Sequence, residues 1–268
     1  MAVSNIGKIE NWLLDMDGTI YLGEKLIPGT LEFLEAVRSR GGRYIFLTNN
    51  SSKSPRLYAE KLCRLGIEAG EEDVFTSGDA AAQLLEQQFG AGASGFVLGT
   101  PALEDLMRSH GFGLSQEGEK ADFVLLGFDT TLTYDKIRVA CAFIKQGVPF
   151  FATHPDPLCP TDKGSVPDAG AMTAMFEKAT GVSPRVAGKP ESAMARAAFA
   201  RYGIDPEKTA MVGDRLCTDI AFANRAGLTA VLVLSGETSE EEYASQSEVR
   251  ADFVFPSVAE LAKELSKP

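Results

Sequence analysis

The sequence feature that most constrains the fold is an apolar run ending in two carboxylates and a glycine, Trp12-Leu13-Leu14-Asp15-Met16-Asp17-Gly18-Thr19. A short apolar run bounded by a glycine turn is typical of a buried strand in a sheet. Because side chains alternate along a strand, Asp15 and Asp17 are predicted to face one pocket while Met16 faces away. The segment is therefore predicted to present two acids at the mouth of a sheet.

Two carboxylates in one pocket constrain the chemistry of that pocket. Each disfavours the ionisation of the other, and a bound Mg²⁺ or an incoming electrophile relieves the conflict. The pattern Asp-x-Asp-Gly also occurs in ordinary turns and in calcium-binding loops. The four residues alone leave both interpretations open, so the rest of the chain has to decide between them.

Length and charge limit the class of protein. With 268 residues the chain can bury a sizeable core and is predicted to form two domains. The formal net charge of -11 argues against nucleic acid or an anionic membrane as the main partner, because a polyanion is bound by a basic surface. The same charge is also explained by solubility alone.

The cysteines and the hydropathy pattern predict a cytoplasmic protein. The four cysteines form no Cys-x-x-Cys pair, and they are Cys63, Cys141, Cys159 and Cys217. Scattered single cysteines suit a reducing compartment better than a disulfide framework or a zinc site. No apolar stretch precedes the first strand, and no later window approaches the length of a membrane span.

Strands and helices alternate along the chain, which predicts an α/β fold with a parallel sheet. Predicted helices follow strands at 44–47, 73–76 and 209–212, for example. Between the strands at 73–76 and 209–212, a second series of shorter strands and helices has enough apolar residues for its own core. The predicted division is a discontinuous core domain, residues 1–78 and 185–268, with a smaller α/β domain inserted at 79–184.

Polar residues follow four of the predicted strands. They are Asp15 with Asp17, Thr48 with Asn49, Lys189, and Asp214 with Asp219. Taken singly, such residues are explained as a helix cap, a surface lysine or a turn residue. In open parallel sheets, however, the binding crevice lies outside the carboxyl ends of the strands, where distant residues converge. Their shared position after strands predicts one site.

With these residues the chain resembles the haloacid dehalogenase superfamily of phosphatases. The four motifs stand as Asp15-Met16-Asp17-Gly18-Thr19, Leu47-Thr48-Asn49-Asn50, Gly188-Lys189-Pro190 and Val212-Gly213-Asp214 to Asp219. The insertion between the second and third motifs is similar to the larger, C2-type α/β cap of subfamily IIA, the NagD-like and para-nitrophenyl phosphatase-like group. The resemblance implies a Rossmann-like, doubly wound core with an inserted cap.

The resemblance also implies roles for the two acids. Asp15 would attack phosphorus and form an aspartyl phosphate that water then hydrolyses. Asp17 would protonate the leaving group and then take a proton from the attacking water. An unperturbed aspartic acid has a pKa of about 3.9, so this role implies that the pKa of Asp17 is raised by roughly three units.

A magnesium ion is implied next to these acids. Its ligands would be Asp15, the backbone carbonyl of Asp17, and Asp214, the oxygen donors that this ion prefers. Asp219 would orient a metal-bound water or Lys189. The Thr48 hydroxyl, the Asn49 amide and Lys189 would bind the phosphate oxygens of the substrate.

Cap residues would set substrate specificity. Within the insertion, Ala152-Thr153-His154-Pro155-Asp156 places His154 where many relatives have asparagine. Substrate contact by His154 and Asp156 is one interpretation, a loop histidine with no task is the other, and Asp168 is equally open.

The implied activity is hydrolysis of phosphate monoesters of small metabolites. Sugar phosphates, nucleotides, phosphoglycolate and pyridoxal phosphate are the substrate types of the relatives, and para-nitrophenyl phosphate is the expected test substrate. The alternative is a phosphate-binding or regulatory module with little turnover. A homodimer formed through the cap is a further analogy with the relatives.

Overall fold

The computed structural model of this protein describes residues 6–161 and 164–267. Its strands are β1 (Asn11–Leu14), β2 (Tyr21–Leu22), β3 (Lys25–Leu26), β4 (Arg43–Thr48), β5 (Val74–Thr76), β6 (Ser94–Leu98), β7 (Gly113–Leu114), β8 (Phe123–Leu126), β9 (Phe150–Ala152), β10 (Leu158–Cys159), β11 (Val166–Pro167), β12 (Arg185–Val186), β13 (Thr209–Gly213), β14 (Thr229–Val233) and β15 (Phe253–Phe255). Its α-helices are α1 (Thr30–Ser39), α2 (Pro55–Arg64), α3 (Ser77–Phe89), α4 (Pro101–Ser109), α5 (Tyr134–Lys145), α6 (Ala169–Thr180), α7 (Ser192–Tyr202), α8 (Ala221–Ala226), α9 (Glu240–Ser245) and α10 (Val258–Leu265). Short 3₁₀ turns cover Ile6–Lys8, Glu71–Asp73 and Pro206–Lys208, and a π-helical turn covers Leu216–Ile220.

The described residues form two compact units. The first contains residues 6–48, Tyr58–Phe75 and 189–267, and the second contains Asn49–Leu57 and Thr76–Gly188. The second unit extends beyond the predicted insertion at 79–184. It also includes Asn49–Leu57 and, on either side of the insertion, residues 76–78 and 185–188.

The first unit is built on a six-stranded sheet in the order β15-β14-β13-β1-β4-β5. β1 is central and pairs in parallel with β13 and β4, so that Leu14 lies opposite Val212 and Phe46. Because the chain builds outwards from β1 first on one side and then on the other, the sheet is doubly wound, as predicted. This register aligns the carboxyl ends of β1, β4 and β13 at one edge.

Large side chains fill the core of the first unit on the helical faces of the sheet. Trp12 of β1 is 2% exposed and meets Phe33 of α1 edge-on, with ring centroids 5.5 Å apart. In α10, Val258, Leu261 and Leu265 recur at helical spacing and are all buried. Full burial of such side chains contributes about 1.5 to 3 kcal/mol each, which holds the central strand in place.

The second unit has its own five-stranded sheet in the order β12-β9-β8-β6-β7. Its strand pairs are parallel, and all four residues of β8 are buried. Phe96 packs on Phe143 and Phe150 packs on Phe176, with ring centroids 5.5 and 5.8 Å apart. A two-stranded hairpin, β10–β11, lies within this unit.

Local structure agrees with the sequence where the apolar pattern is long. The sequence predicts a strand over 123–126 and helices over 101–109 and 134–145, and β8, α4 and α5 have these bounds. The segment Thr153 to Asp168, predicted to be a loop, contains the hairpin β10–β11, because a two-residue strand has no alternation to detect. Across the described ranges, none of the helices combines the length and hydrophobicity that crossing a lipid bilayer requires.

Candidate active site

The loop after β1 is closed by backbone hydrogen bonds around one carbonyl. The Met16 carbonyl accepts hydrogen bonds from the amides of Ile20 at 2.8 Å and Tyr21 at 3.1 Å. The Met16 side chain is 1% exposed in the core, whereas Asp15 is partly exposed and Asp17 is exposed. Burial therefore alternates along the segment, with Met16 anchoring the loop in the core and both acids more exposed than Met16. That the two acids face one pocket stays a prediction.

Glycines allow this loop to approach a second acid. Gly18 has φ = +86°, a left-handed conformation that other residues rarely adopt, and any Cβ at this position would collide with the Asp214 carboxylate. A Cβ on Gly236 would collide with the same carboxylate. The backbone therefore closes around Asp214 on two sides.

Asp214 directly follows β13 and is held by donors from two loops. Its Oδ1 accepts a hydrogen bond from the Thr19 hydroxyl at 3.2 Å, and its Oδ2 accepts one from the Glu237 amide at 2.7 Å. Asp214 is 2% exposed. These bonds fix the carboxylate next to the loop that carries Asp15.

Lys189 is a buried cation between two acids. It is 1% exposed, and its Nζ donates to Asp15 Oδ1 at 2.5 Å, to Asp219 Oδ1 at 2.7 Å and to the Leu47 carbonyl at 3.3 Å. A buried ammonium is costly unless it is paired and hydrogen-bonded, and these three oxygens satisfy that requirement. The contact links the ends of β1 and β4 to a segment about 140 residues later.

Asp219 lies in the π-helical turn Leu216–Ile220 and is fully buried. Its Oδ1 accepts from Lys189, one of the two partners predicted for it, and its Oδ2 accepts from the Arg215 amide at 3.2 Å. A Cβ on Gly213 would collide with the Asp219 side chain, so the glycine at the end of β13 makes room for it. The carboxylate is thus oriented towards the lysine.

Burial and mutual repulsion shift the ionisation of this cluster. Burial raises the pKa of Asp214 to about 7, and the charge of Asp219 adds to the rise. Burial also raises the pKa of Asp15, with Lys189 opposing and Asp219 and Asp214 adding to the increase. Although burial by itself lowers the pKa of Lys189, Asp15 and Asp219 raise that pKa above its ordinary value. The raised pKa values of Asp15 and Asp214 show that the positive charge around them does not fully stabilise their ionised forms.

The carboxylates of Asp15, Asp214 and Asp219 have the composition of a divalent-cation site. Each offers an oxygen, and these three oxygens lie within 4.8 Å of one another. Three carboxylates and one ammonium leave a formal charge of -2 when all are ionised, which one Mg²⁺ would balance. Oxygen donors alone suit Mg²⁺ or Ca²⁺ rather than zinc. The residues fit the predicted metal.

Thr48 and Asp17 are close in sequence to residues of this cluster. Thr48 ends β4, is 9% exposed and directly follows Leu47, whose carbonyl binds Lys189. Asp17 lies in the exposed part of the loop and forms an isolated bridge with Tyr21. Among the described residues, the three clustered carboxylates do not include Asp17, and its roles as carbonyl ligand and general acid stay predictions.

The other predicted residues belong to the second unit. Asn49 is 7% exposed and its Nδ2 donates to Asp156 Oδ2 at 2.9 Å. His154 is fully buried, with Nδ1 2.9 Å from the Thr153 hydroxyl and Nε2 2.8 Å from Asp168 Oδ1. Both ring nitrogens of His154 are therefore occupied by protein groups. This geometry does not support the predicted substrate contact by His154 and gives the ring internal partners instead.

Sequence reasoning missed the loop that follows β14. Ser235 Oγ donates to the Gly18 carbonyl at 2.8 Å, Gly236 faces Asp214, and the Glu237 amide binds Asp214. Its signal was available, because Ser235-Gly236 follows a predicted strand in the same way as the recognised motifs. The acidic residues at 237–242 were interpreted only as a solvated helix start, so the contribution of this loop to the site was not predicted.

Comparisons with known proteins agree with this arrangement. The family of haloacid dehalogenase-like hydrolases matches residues 12–113, and the related HAD-hydrolase-like family matches residues 186–261. The chain is 39% identical over 239 residues to the 5'-nucleotidase YutF of Bacillus subtilis, covering 89% of this chain and 92% of the relative.

Two solved structures resemble the fold over almost the whole chain. The 4-nitrophenylphosphatase of Thermotoga maritima is 43% identical, with a TM-score of 0.91 over 96% of this chain and 98% of that one. A glycerol phosphate phosphatase of Mycobacterium tuberculosis, solved in complex with magnesium, is 34% identical, with a TM-score of 0.90 over 97% of this chain and 78% of that one. The chain therefore belongs to the haloacid dehalogenase-like hydrolases, within subfamily IIA, the NagD-like phosphatase group.

Proposed function

We propose that this protein is a Mg²⁺-dependent phosphatase that hydrolyses phosphate monoesters of small metabolites. The observation that carries the proposal is the cluster at the carboxyl edge of the first sheet, where Lys189 bridges Asp15 and Asp219 beside Asp214. The phosphatase names of the relatives point to the same chemistry.

Asp15 is the proposed nucleophile. A carboxylate oxygen of Asp15 attacks phosphorus, the bond from phosphorus to the ester oxygen breaks, and Asp17 donates a proton to the departing alkoxide. In the second step Asp17 takes a proton from water, the water oxygen attacks the aspartyl phosphate, and inorganic phosphate leaves. Asp15 is then a free carboxylate again, so the cycle is closed.

Lys189 and Asp219 prepare Asp15 for this attack. The ammonium holds Asp15 Oδ1 at 2.5 Å and favours the ionised carboxylate. Its positive charge also offsets the negative charge that develops on the transferred phosphoryl group. Asp219 keeps the ammonium at this position through the 2.7 Å hydrogen bond.

Asp15, Asp214 and the backbone carbonyl of Asp17 are the proposed ligands of Mg²⁺. When bound, the ion supplies charge neutralisation for the phosphate oxygens and for the acids. The pKa of Asp214 is raised because burial disfavours its ionised form, and a bound cation would favour that form. The Thr48 hydroxyl, the Asn49 amide and Lys189 are the proposed phosphate-binding groups.

The substrate class is a small phosphorylated metabolite of the sugar phosphate, nucleotide, phosphoglycolate or pyridoxal phosphate type. Residues 79–184 are the proposed cap domain, and its residues would select the organic part of the substrate. The net charge of -11 disfavours nucleic acid and anionic membranes as partners. Free cysteines at all four positions suit the cytoplasm, and a homodimer is the proposed assembly.

Steady-state hydrolysis of para-nitrophenyl phosphate tests this function. The purified protein with Mg²⁺ is expected to release many equivalents of nitrophenol per chain, and removal of Mg²⁺ with EDTA should stop the reaction. A release that ends after one equivalent would instead identify the phosphate-binding or regulatory module. A panel of phosphorylated metabolites ranked by kcat/KM then identifies the preferred substrate.

A further inference from the structure

The second unit contains a buried group of polar side chains that the proposed mechanism leaves unused. The group is linked to Asn49 by contacts of Ser77 and Asp156, and its members are Ser51, Ser77, Thr153, His154, Asp156 and Asp168. Each is at most 6% exposed. Burial of polar groups is costly unless they form hydrogen bonds, so the bonds within this group decide how its side chains are placed.

The partners of Asp168 determine which ring nitrogen of His154 donates and which accepts a hydrogen bond. Asp168 Oδ1 also accepts from the Ala169 amide, and a carboxylate only accepts, so His154 Nε2 is the donor in its 2.8 Å contact with Asp168. Nδ1 can then accept from the Thr153 hydroxyl at 2.9 Å. The Thr153 oxygen in turn accepts from Ser51 at 3.0 Å. The ring is thus fixed at both nitrogens.

Asp168 ties the two ends of the segment 153–168 together. It binds His154 at the beginning of the segment and caps α6 at the end through the Ala169 amide at 2.6 Å. In the first turn of α6, the Gly170 amide donates to the Asp156 carbonyl at 2.8 Å, and any Cβ on Gly170 would collide with the Pro155 carbonyl. These contacts fix the backbone of Asp156.

Asn49 is held from two sides by residues of this group. Asp156 Oδ2 accepts from Asn49 Nδ2 at 2.9 Å, and the Ser77 hydroxyl donates to the Asn49 carbonyl. Ser77 Oγ itself lies 3.5 Å from His154 Nδ1. A circuit of contacts therefore leads from His154 through Asp168, α6 and Asp156 to Asn49 and Ser77. Because the Ser77 proton goes to the Asn49 carbonyl, the 3.5 Å return from Ser77 to the ring is a packing contact and not a hydrogen bond.

We propose that His154 and Asp168 are positioning residues that fix the peptide of Asn49 for phosphate binding. The proposal rests on the proposed function, in which the Asn49 amide binds a phosphate oxygen. The imidazole ring touches no substrate in this role. It sets where the Asn49 backbone lies, and a displacement of about 1 Å can lower the rate of a reaction by a large factor.

The test compares His154→Ala with His154→Gln, whose amide nitrogen can take the place of Nε2 and donate to Asp168. His154→Ala is expected to raise the KM for para-nitrophenyl phosphate and the inhibition constant of inorganic phosphate roughly tenfold. His154→Gln is expected to keep both within roughly twofold of the unsubstituted protein. The Mg²⁺ concentration for half-maximal activity should not change in either variant.

Phe176→Leu is the matched control, because Phe176 is a fully buried core residue of the same helix that takes no part in the circuit. It should lower the melting temperature without raising the phosphate inhibition constant. Should His154→Ala fail to fold, Ser77→Ala breaks the circuit at the Asn49 carbonyl with little change in volume, and should raise the phosphate inhibition constant roughly threefold.

A double substitution adds a readout that a purely structural role would not move. His154→Ala and Asp156→Ala both act through Asn49, so their combined effect on the phosphate inhibition constant should fall well short of the product of the single effects. Folded variants with an unchanged inhibition constant, or with independent effects, would overturn the proposal. Absence of hydrolysis by the unsubstituted protein would instead overturn the proposed function.

Discussion

Each unit contains a group of buried or partly buried polar side chains, but the two groups differ in charge balance. In the first unit, three carboxylates share one ammonium, and burial raises the pKa of Asp214 to about 7. In the buried polar group around His154 in the second unit, each acid accepts from an uncharged side chain, as Asp168 does from His154 and Asp156 does from Asn49. One protein thus contains an unbalanced set in its first unit and a balanced set in its second.

The difference indicates what each set does. Buried charges that lack a counter-ion are stabilised by a ligand that brings one, so the first set is suited to bind Mg²⁺ and a phosphoryl group. Donors and acceptors that satisfy one another have no need of a ligand and instead hold the backbone rigidly. Substitutions that change the charge balance of either group test this difference between the two units.

The largest effect is expected from Asp15→Asn, which removes the nucleophile and one acid of the unbalanced set. Hydrolysis of para-nitrophenyl phosphate should fall by roughly 10³-fold or more, because an amide oxygen is a poor nucleophile. Circular dichroism should show an unchanged fold. Turnover close to that of the unsubstituted protein would remove Asp15 from the mechanism.

Removal of the buried ammonium of Lys189 should cost stability as well as activity. Lys189→Met leaves Asp15 and Asp219 buried without their partner, and is expected to lower the free energy of unfolding in EDTA by about 3 to 5 kcal/mol. Urea denaturation measures this change. Lys208→Met is the control, because Lys208 pairs with Glu10 at the exposed surface and should contribute little. Equal losses in the two variants would contradict the role of burial.

Magnesium should stabilise the protein more at high pH than at low pH. The folded-state pKa of Asp214 lies above its ordinary value, so the folded form keeps a proton that the unfolded form releases. The stability that this proton confers is present at low pH and is lost as the pH rises through about 7, roughly 1 to 3 kcal/mol.

Thermal melts at pH 6 and pH 8, in EDTA and in Mg²⁺, measure this linkage. Without metal the melting temperature should be lower at pH 8 because of Asp214. Mg²⁺ at a hundred times its Kd adds about 2.7 kcal/mol and should offset that loss. In Asp214→Asn both the pH-dependent component and most of the Mg²⁺ effect should vanish. A metal effect independent of pH would show that Asp214 is already ionised.

The smallest effects are expected away from both sets. Ser257 caps α10 in the first unit through the Ala259 amide at 3.1 Å, and Thr133 caps α5 in the second through the Lys136 amide at 3.3 Å. Ser257→Ala and Thr133→Ala should each cost about 1 kcal/mol of stability and leave KM and kcat unchanged. A change in KM in either cap variant would show that KM also responds to substitutions outside the two polar groups.

Much of the fold could be read from local patterns. Continuous apolar runs predicted β1, β8 and β13, and the last helix was predicted over 257–265, which differs from α10 by one residue at its start. The order of motifs after strands predicted that Asp15, Lys189 and Asp214 would meet, and they do. These features depend on residues close in sequence, or on the general rule that ligands bind at the carboxyl edge of a parallel sheet.

Other features depend on which distant segments pack together. The burial of His154, the grouping of Asn49 with the second unit, and the approach of Gly236 to Asp214 have no local signal. A histidine in a loop has the same sequence pattern whether it faces water or a carboxylate fourteen residues away.

The sequence by itself therefore determined the kind of sheet, the residues at its strand ends and the chemistry that they imply. Only the tertiary structure decided which of these side chains are balanced by a partner and which are not, as in the contrast between Asp168 and Asp214. The physical reason is that periodicity reports whether a residue is buried, whereas charge balance depends on the neighbours that the packing of remote elements brings within hydrogen-bonding distance.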